Sequence, residues 1–154
     1  MNDVAVEGPG AASPAECEAL LRSLPDWFGI EASLLQYAKD AAVLPTLVAR
    51  ANGALHGFLT VKRHFAESAE IHCVAVHADH RHRGIGRALL AACEAWLAGE
   101  GVRLLQVKTL GPSRPSAPYA QTRRFYERAG FTPVEEFPTL WEGNPCLQLA
   151  KPLR

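Results

Sequence analysis

No part of the chain restricts the fold more than the stretch from Ala69 to Lys108, which reads as strand, glycine turn, helix and strand in succession. Ala69 to His77 has the apolar character of a buried strand. Gly84 to Gly99 places Ile85, Leu89, Ala92, Cys93 and Trp96 in register along one helical face, and Gly99 and Gly101 end that helix. Val102 to Lys108 supplies a second buried strand. A β–α–β unit of this kind needs a sheet for its helix to cover. Ligands of such units favour the crevice beyond the carboxyl ends of the strands, so function is expected here.

The flanking segments complete a single domain. Residues 1–12 are small and punctuated by Gly and Pro, and are expected to be frayed, leaving 13–154 as the folded unit. Ser13-Pro14-Ala15-Glu16 reads as a capped helix start, with Glu16 completing a capping box. Cys17, Leu20, Leu21 and Leu24 follow at helical spacing until Pro25. A second helix is expected over about Glu31 to Ala42, and both helices read as scaffold without chemistry. Thr46–Ala51 and Ala54–Lys62 flank Asn52-Gly53, a tight-turn pair that marks a hairpin. A proline-rich loop (111–118), a helix over about Tyr119 to Ala129, and strands at Phe131–Phe137 and Cys146–Lys151 follow.

The turn between the 69–77 strand and its helix carries the sharpest chemistry: Arg81-His82-Arg83-Gly84-Ile85-Gly86-Arg87-Ala88. Glycines one residue apart let the backbone turn tightly and expose successive N–H groups with no Cβ in the way. Those donors coincide with a helix N-terminus, whose unpaired amides and dipole favour an anion. Three arginines and two histidines (80 and 82) add local positive charge although 16 Lys+Arg are balanced by 16 Asp+Glu overall. This describes a cradle for phosphate or pyrophosphate. Gly-x-Gly-x-x-Gly is absent because position 89 is Leu, and no Gly-Lys-Ser/Thr follows, so neither common dinucleotide nor P-loop chemistry fits.

Arg81-x-x-Gly84-x-Gly86 resembles the Gln/Arg-x-x-Gly-x-Gly/Ala signature of the GNAT superfamily of acyl-CoA N-acyltransferases. The order of elements over about 14–151 is similar too, most closely over 69–131. The resemblance implies an α/β single domain with a mixed, mainly antiparallel sheet flanked by helices. It implies acetyl-CoA as cosubstrate, with no metal. Amides from Arg81 through Ala88 would hold the pyrophosphate, and main-chain groups of Val74, Ala75 and Val76 would pair with the pantetheine arm like an added strand. Phe125-Tyr126-Glu127-Arg128-Ala129-Gly130-Phe131 resembles the family's Phe-Tyr-x-x-x-Gly-Phe stretch, which casts Tyr126 as general acid toward the leaving thiolate. A phenol of pKa about 10 and a thiol of about 8.5 are close enough to exchange a proton.

For the base, period-two alternation puts Glu70, His72, Val74 and Val76 on one face of their strand. Glu70 lies eleven residues before Arg81, a spacing similar to that of histone-type members whose glutamate deprotonates the amine, often through water. Burial there would raise a carboxylate's pKa toward a useful value. His72 is the second candidate, and ordered water the third. Where family members often carry Asn, this chain has Tyr119.

Other classes find less support. Zero net charge and a pI near 7 argue against a nucleic-acid module. No apolar run approaches the roughly 20 residues of a membrane helix, Met1–Gly10 lacks a leader's features, and Cys17, Cys73, Cys93 and Cys146 read as reduced, buried thiols of a cytoplasmic protein. His56, His64, His77 and His80 lack metal-ligand spacing, and Ser113 and Ser116 lack a nucleophile elbow. Trp27, Trp96 and Trp141 read as packing residues. The expected activity is acetyl transfer from acetyl-CoA to a primary amine of a small molecule or peptide. The alternative is a catalytically silent CoA-binding sensor or interaction module, and a homodimer is compatible with the resemblance.

Overall fold

The computed structural model describes residues 4–154. In chain order the elements are β1 (Ala5–Gly10), α1 (Pro14–Arg22), α2 (Glu31–Val43), β2 (Thr46–Ala51), β3 (Ala54–Phe65), β4 (Ser68–Val76), α3 (Ile85–Gly99), β5 (Leu104–Leu110), α4 (Ala117–Arg128), β6 (Thr132–Trp141) and β7 (Asn144–Pro152). The strands form one sheet in the order β1-β2-β3-β4-β5-β7-β6. Among the described residues β4 and β5 are the one neighbouring pair that is parallel, α3 returning the chain to the same end between them. The fold is the mixed, mainly antiparallel α/β sheet that the sequence implies.

Each sheet face carries its own core. On one, Leu89, Cys93 and Leu97 of α3 pack against Leu59, Val61 and Ile71. On the other, Leu20, Leu21 and Leu34 of α1 and α2 pack against Phe58 and Cys73. These side chains are at most 7% exposed, so Leu89→Ala costs about 2–5 kcal/mol. The four cysteines are free and buried. Loss of water pushes the Cys17 thiol up to about 11 and the Cys93 thiol up to about 12, which keeps both unreactive.

Several expectations need correction. Residues 5–10 are not frayed but form β1, an edge strand antiparallel to β2 with a register shift between Glu7 and Gly10. An edge strand needs hydrogen bonds on one side only, so it tolerates the Gly and Pro that disguise it. Residues 1–3 lie outside the described part of the chain. Ser13 caps α1 by accepting from the Glu16 amide, yet Glu16 does not return the bond. Its carboxylate pairs with Arg50 at 2.8 Å instead. The α4 helix starts at Ala117 rather than Tyr119, since Ser116 is its cap and Pro118 suits the first turn. The β5 strand starts at Leu104, because Val102 still donates to the Leu97 carbonyl in the turn that ends α3.

Candidate active site

The parallel pairing of β4 with β5 stops early. Ser68–Ile71 pairs with Leu104–Val107, after which β5 continues with β7 alone and β4 with β3 alone. The strands therefore diverge at their carboxyl ends. The His77 amide donates to the His56 carbonyl at 2.8 Å, which fixes the phase of the β3–β4 ladder. By alternation Cys73 and Ala75 turn their main-chain groups to β3, while Val74 and Val76 turn theirs into the split. Ala75, expected to contact a ligand through its backbone, is thus committed to the sheet, and Val74 and Val76 present the open edge.

A β-bulge re-aims the side chains just before this edge. Thr60 pairs with Cys73 and Val61 with Ile71, so His72 is an extra residue with no partner on β3. Ile71 and Val74 consequently pack on the α3 face, whereas Cys73 packs on the α1–α2 face. The single face expected for Glu70, His72, Val74 and Val76 is broken. Glu70 and His72 point toward α2, and Val74 and Val76 toward α3.

The glycine turn has the geometry its sequence demands. His82 (φ 64°) and Gly84 (φ 83°) are both left-handed around Arg83, a backbone pattern that aims successive amides at one point. Gly84 caps α3, and the amides of Gly84, Ile85, Gly86 and Arg87 are the four with no partner within the helix. The Ala88 amide is not among them, since it donates to the Gly84 carbonyl at 3.0 Å. Gly86 has a second reason to be glycine: a Cβ there would sit 3.3 Å from Phe125 Cε1, where α4 crosses α3. Arg83 is turned back toward His80 (3.4 Å) and, like Ala88, lines no part of the cavity. Arg81 spans the mouth, its guanidinium 4.2 Å above the Trp27 ring and 3.5 Å from Gln121.

The split and the turn open into one cavity of about 1400 Å³. Tyr126, Tyr119 and Tyr37, all the tyrosines of the chain, line it. Tyr126 is 4% exposed between Phe125 and Phe131, and burial pushes its phenol well above the ordinary value, which keeps it protonated. The Tyr119 hydroxyl donates to the Trp27 carbonyl at 2.8 Å, and Trp27 Nε1 donates to Thr122 Oγ1 at 3.0 Å. These two bonds pin the α1–α2 loop to α4 and close the wall.

The two candidate bases part company. Glu70 does not line the cavity. Its carboxylate is held by His64 Nε2 at 2.7 Å and Lys108 Nζ at 3.1 Å. His72 does line it, and its Nε2 is 2.8 Å from Asp40 Oδ2. Burial opposes ionisation of Asp40, but hydrogen bonds from Gln36 and His72 outweigh it and hold the carboxyl below the usual range. An Nε2–H bonded to that carboxylate leaves Nδ1 with the lone pair. Helix α2 is therefore more than scaffold: it contributes Asp40 and Tyr37, which sequence reasoning missed. Their spacing of three residues, which puts both on one side of the helix, was the available signal. No group of three or more His, Cys, Asp or Glu among the described residues is arranged to hold a metal.

An α/β domain whose parallel strands splay beside an amide-rich helix start is built to hold an elongated, phosphate-bearing ligand along a strand edge. A family model described as Acetyltransferase (GNAT) domain matches residues 34–133, from α2 through the glycine turn and Tyr126 into β6. The chain belongs to the GNAT acetyltransferase family. A search of curated protein sequences finds no match. Among solved structures, a GNAT-family protein from Desulfovibrio desulfuricans shares 23% identity and a TM-score of 0.83, over 99% of this chain and 100% of that one. A GNAT family acetyltransferase from Elizabethkingia anophelis with acetyl-CoA bound shares 17% identity and a TM-score of 0.73, over 99% and 100%. An IAA acetyltransferase from Bacillus cereus shares 21% and 0.74, over 98% and 100%. At such identities these likenesses concern the fold.

Proposed function

We propose that this protein transfers an acetyl group from acetyl-CoA directly to a primary amine. The observation that carries the reading is the convergence, in one cavity, of an open strand edge, a left-handed amide turn and a buried, protonated tyrosine. The residues fit the cosubstrate. Amides of Gly84 through Arg87 meet the pyrophosphate with Arg81 and Arg87 beside them, and Val74 and Val76 pair with the amide-bearing arm as β5 would. The helix start is worth most to a doubly charged linker, because its partial positive charge falls off within one turn.

His72, oriented by Asp40, takes the amine proton. It stands on the cavity wall, whereas Glu70 is consumed by His64 and Lys108. The amine nitrogen bonds to the thioester carbon, one open β4 amide faces the developing oxyanion, and the carbon–sulfur bond breaks. Tyr126 gives its proton to the departing sulfur. Burial raises the phenol, and loss of water acts in the same direction on a thiol. A histidine that faces the cavity with a carboxylate behind it also favours chemistry over a silent sensor.

Tyr126→Phe tests the reading. It keeps the packing against Phe125 and Phe131, so the dissociation constant for CoA should hold in calorimetry while thiol release falls about a hundredfold. Unchanged turnover would remove the acid role. Absence of thiol release with every amine offered would remove the transferase reading.

A further inference from the structure

We propose that the acceptor is a primary monoamine carried on an aromatic body; this rests on the transferase reading and names its substrate class. With the strand edge and the α3 turn given to the cosubstrate, the cavity that remains lies beneath the α1–α2 loop. Its walls are Trp27 and Phe28 of that loop, Tyr37 of α2, Tyr119 of α4 and Trp141 of β6, with Ile30 at the lip, 62% exposed. Five aromatic side chains from four parts of the fold line the cavity.

Three polar atoms of this wall are already engaged. Tyr119 donates to the Trp27 carbonyl, Trp27 Nε1 donates to Thr122, and His72 is paired with Asp40. A polyhydroxylated acceptor would lose its water and find few partners in exchange. Charge points the same way. Asp40 and Glu70 stand behind the wall, each held by two partners. Among the described residues lining the cavity, the carboxylates are Glu94, which is paired with Lys151 at 2.8 Å beside α3, and Glu142 on the exposed β6–β7 turn. Arg114 and Arg81 line it as cations, as does Lys108, the partner of Glu70. A polyamine, an aminoglycoside or a lysine-rich peptide would bring several positive charges to a site with no acidic wall, and that costs affinity.

Ring geometry distinguishes an aryl from an alkyl body. Phe28 meets Tyr37 edge-on at 5.9 Å and 84°, and Tyr37 meets His72 edge-on at 5.2 Å and 64°. This chain of rings runs from the mouth to the proposed base. A flat acceptor ring extends it in the orientation that aromatic quadrupoles favour, and an aliphatic chain does not.

The test measures thiol release from acetyl-CoA by the full-length protein with phenethylamine, hexylamine, spermidine, an aminoglycoside and a lysyl peptide. Phenethylamine should lead spermidine, the aminoglycoside and the peptide by at least about tenfold in kcat/KM, and hexylamine by a smaller margin. Phe28→Leu keeps an apolar side chain for folding and should raise the KM for phenethylamine several-fold while leaving that for acetyl-CoA unchanged. Preference for any polycation, or equality of hexylamine and phenethylamine, overturns the proposal and leaves the transferase reading standing. Calorimetry of phenethylamine and spermidine on the CoA-loaded protein separates the two failures. Phenethylamine binding without turnover supports the pocket and sinks the transferase, and no phenethylamine binding sinks the pocket.

Discussion

In the proposed reading, the two halves of the cavity recognise by different means. The α3 turn and the β4 edge would work through main-chain amides: Gly84 to Arg87 at one end, Val74 and Val76 at the other. The half beneath the α1–α2 loop would work through side chains, namely Trp27, Tyr37, His72 and Tyr119, with Asp40 behind. Backbone recognition leaves a local mark in a sequence, because the conformation it needs selects glycine at a fixed spacing. Side-chain recognition leaves none. The bond from Tyr119 to Trp27 joins positions 92 residues apart.

Substitutions that separate proton transfer from binding should show the largest effects. His72→Gln retains an amide donor where Nε2 meets Asp40, so the fold should persist, but it removes the lone pair. Its kcat should fall by about 10² to 10³, with the dissociation constant for CoA unchanged in calorimetry. Parallel losses of CoA affinity and turnover would show that the two halves are not independent. Gly84→Val attacks the other half. A β-branched residue at φ 83° is strained by about 1–3 kcal/mol, and the amides lose their common aim, so CoA affinity should fall by about ten- to a hundredfold. Gly86→Ala should do less, because only the Phe125 ring must give way.

Asp40→Asn comes next in size. An amide there no longer fixes which imidazole nitrogen carries the proton, and a roughly tenfold loss of kcat should follow, restored in part by Asp40→Glu. The stability effect has a definite sign. The folded Asp40 carboxyl is held below its ordinary value, so its contribution is complete above the unfolded pKa near 3.9 and is lost as pH falls through the lower folded value. Melting curves of wild type and Asp40→Asn should differ at neutral pH and converge on acidification. A gap that stays constant down to strongly acidic pH would mean that the ionised carboxylate is not what stabilises α2 against β4.

Most of the scaffold was legible from periodicity and turn chemistry. Asn52-Gly53 placed the β2–β3 hairpin, Ser13-Pro14 placed α1, and the apolar register of 85–96 placed α3. The β1 strand was not legible, because Gly8, Pro9 and Gly10 mask an edge strand whose only partner is β2. The bulge at His72 was not legible either. Alternation assumes an unbroken ladder, and an inserted residue reverses every later side chain without altering the hydrophobic pattern, since β4 is covered on both faces. That one residue separated Val74 and Val76 from Glu70 and made the spacing-based choice of base uninformative. The Asp40–His72 pair depended in turn on how α2 lies across the sheet, which local sequence does not encode.

Glu70 gives the smallest expected effect and the sharpest comparison with its neighbour two residues on. Both are titratable, both project toward α2, and both stood as candidate bases. Position separates them: Glu70 does not line the cavity and spends its carboxylate on His64 and Lys108, and His72 faces the cavity with its carboxylate partner behind it. Glu70→Gln keeps the shape and can still bond His64, but it loses the charge opposite Lys108. That partly exposed ion pair is worth about 1 kcal/mol or less. Melting should therefore drop slightly, and kcat should stay within about threefold of wild type. The opposite result, a hundredfold loss of kcat with unchanged melting, would place the acceptor on the Lys108 side of the bulge and return the base to Glu70. The bulge would then serve only to twist the strand edge toward its ligand.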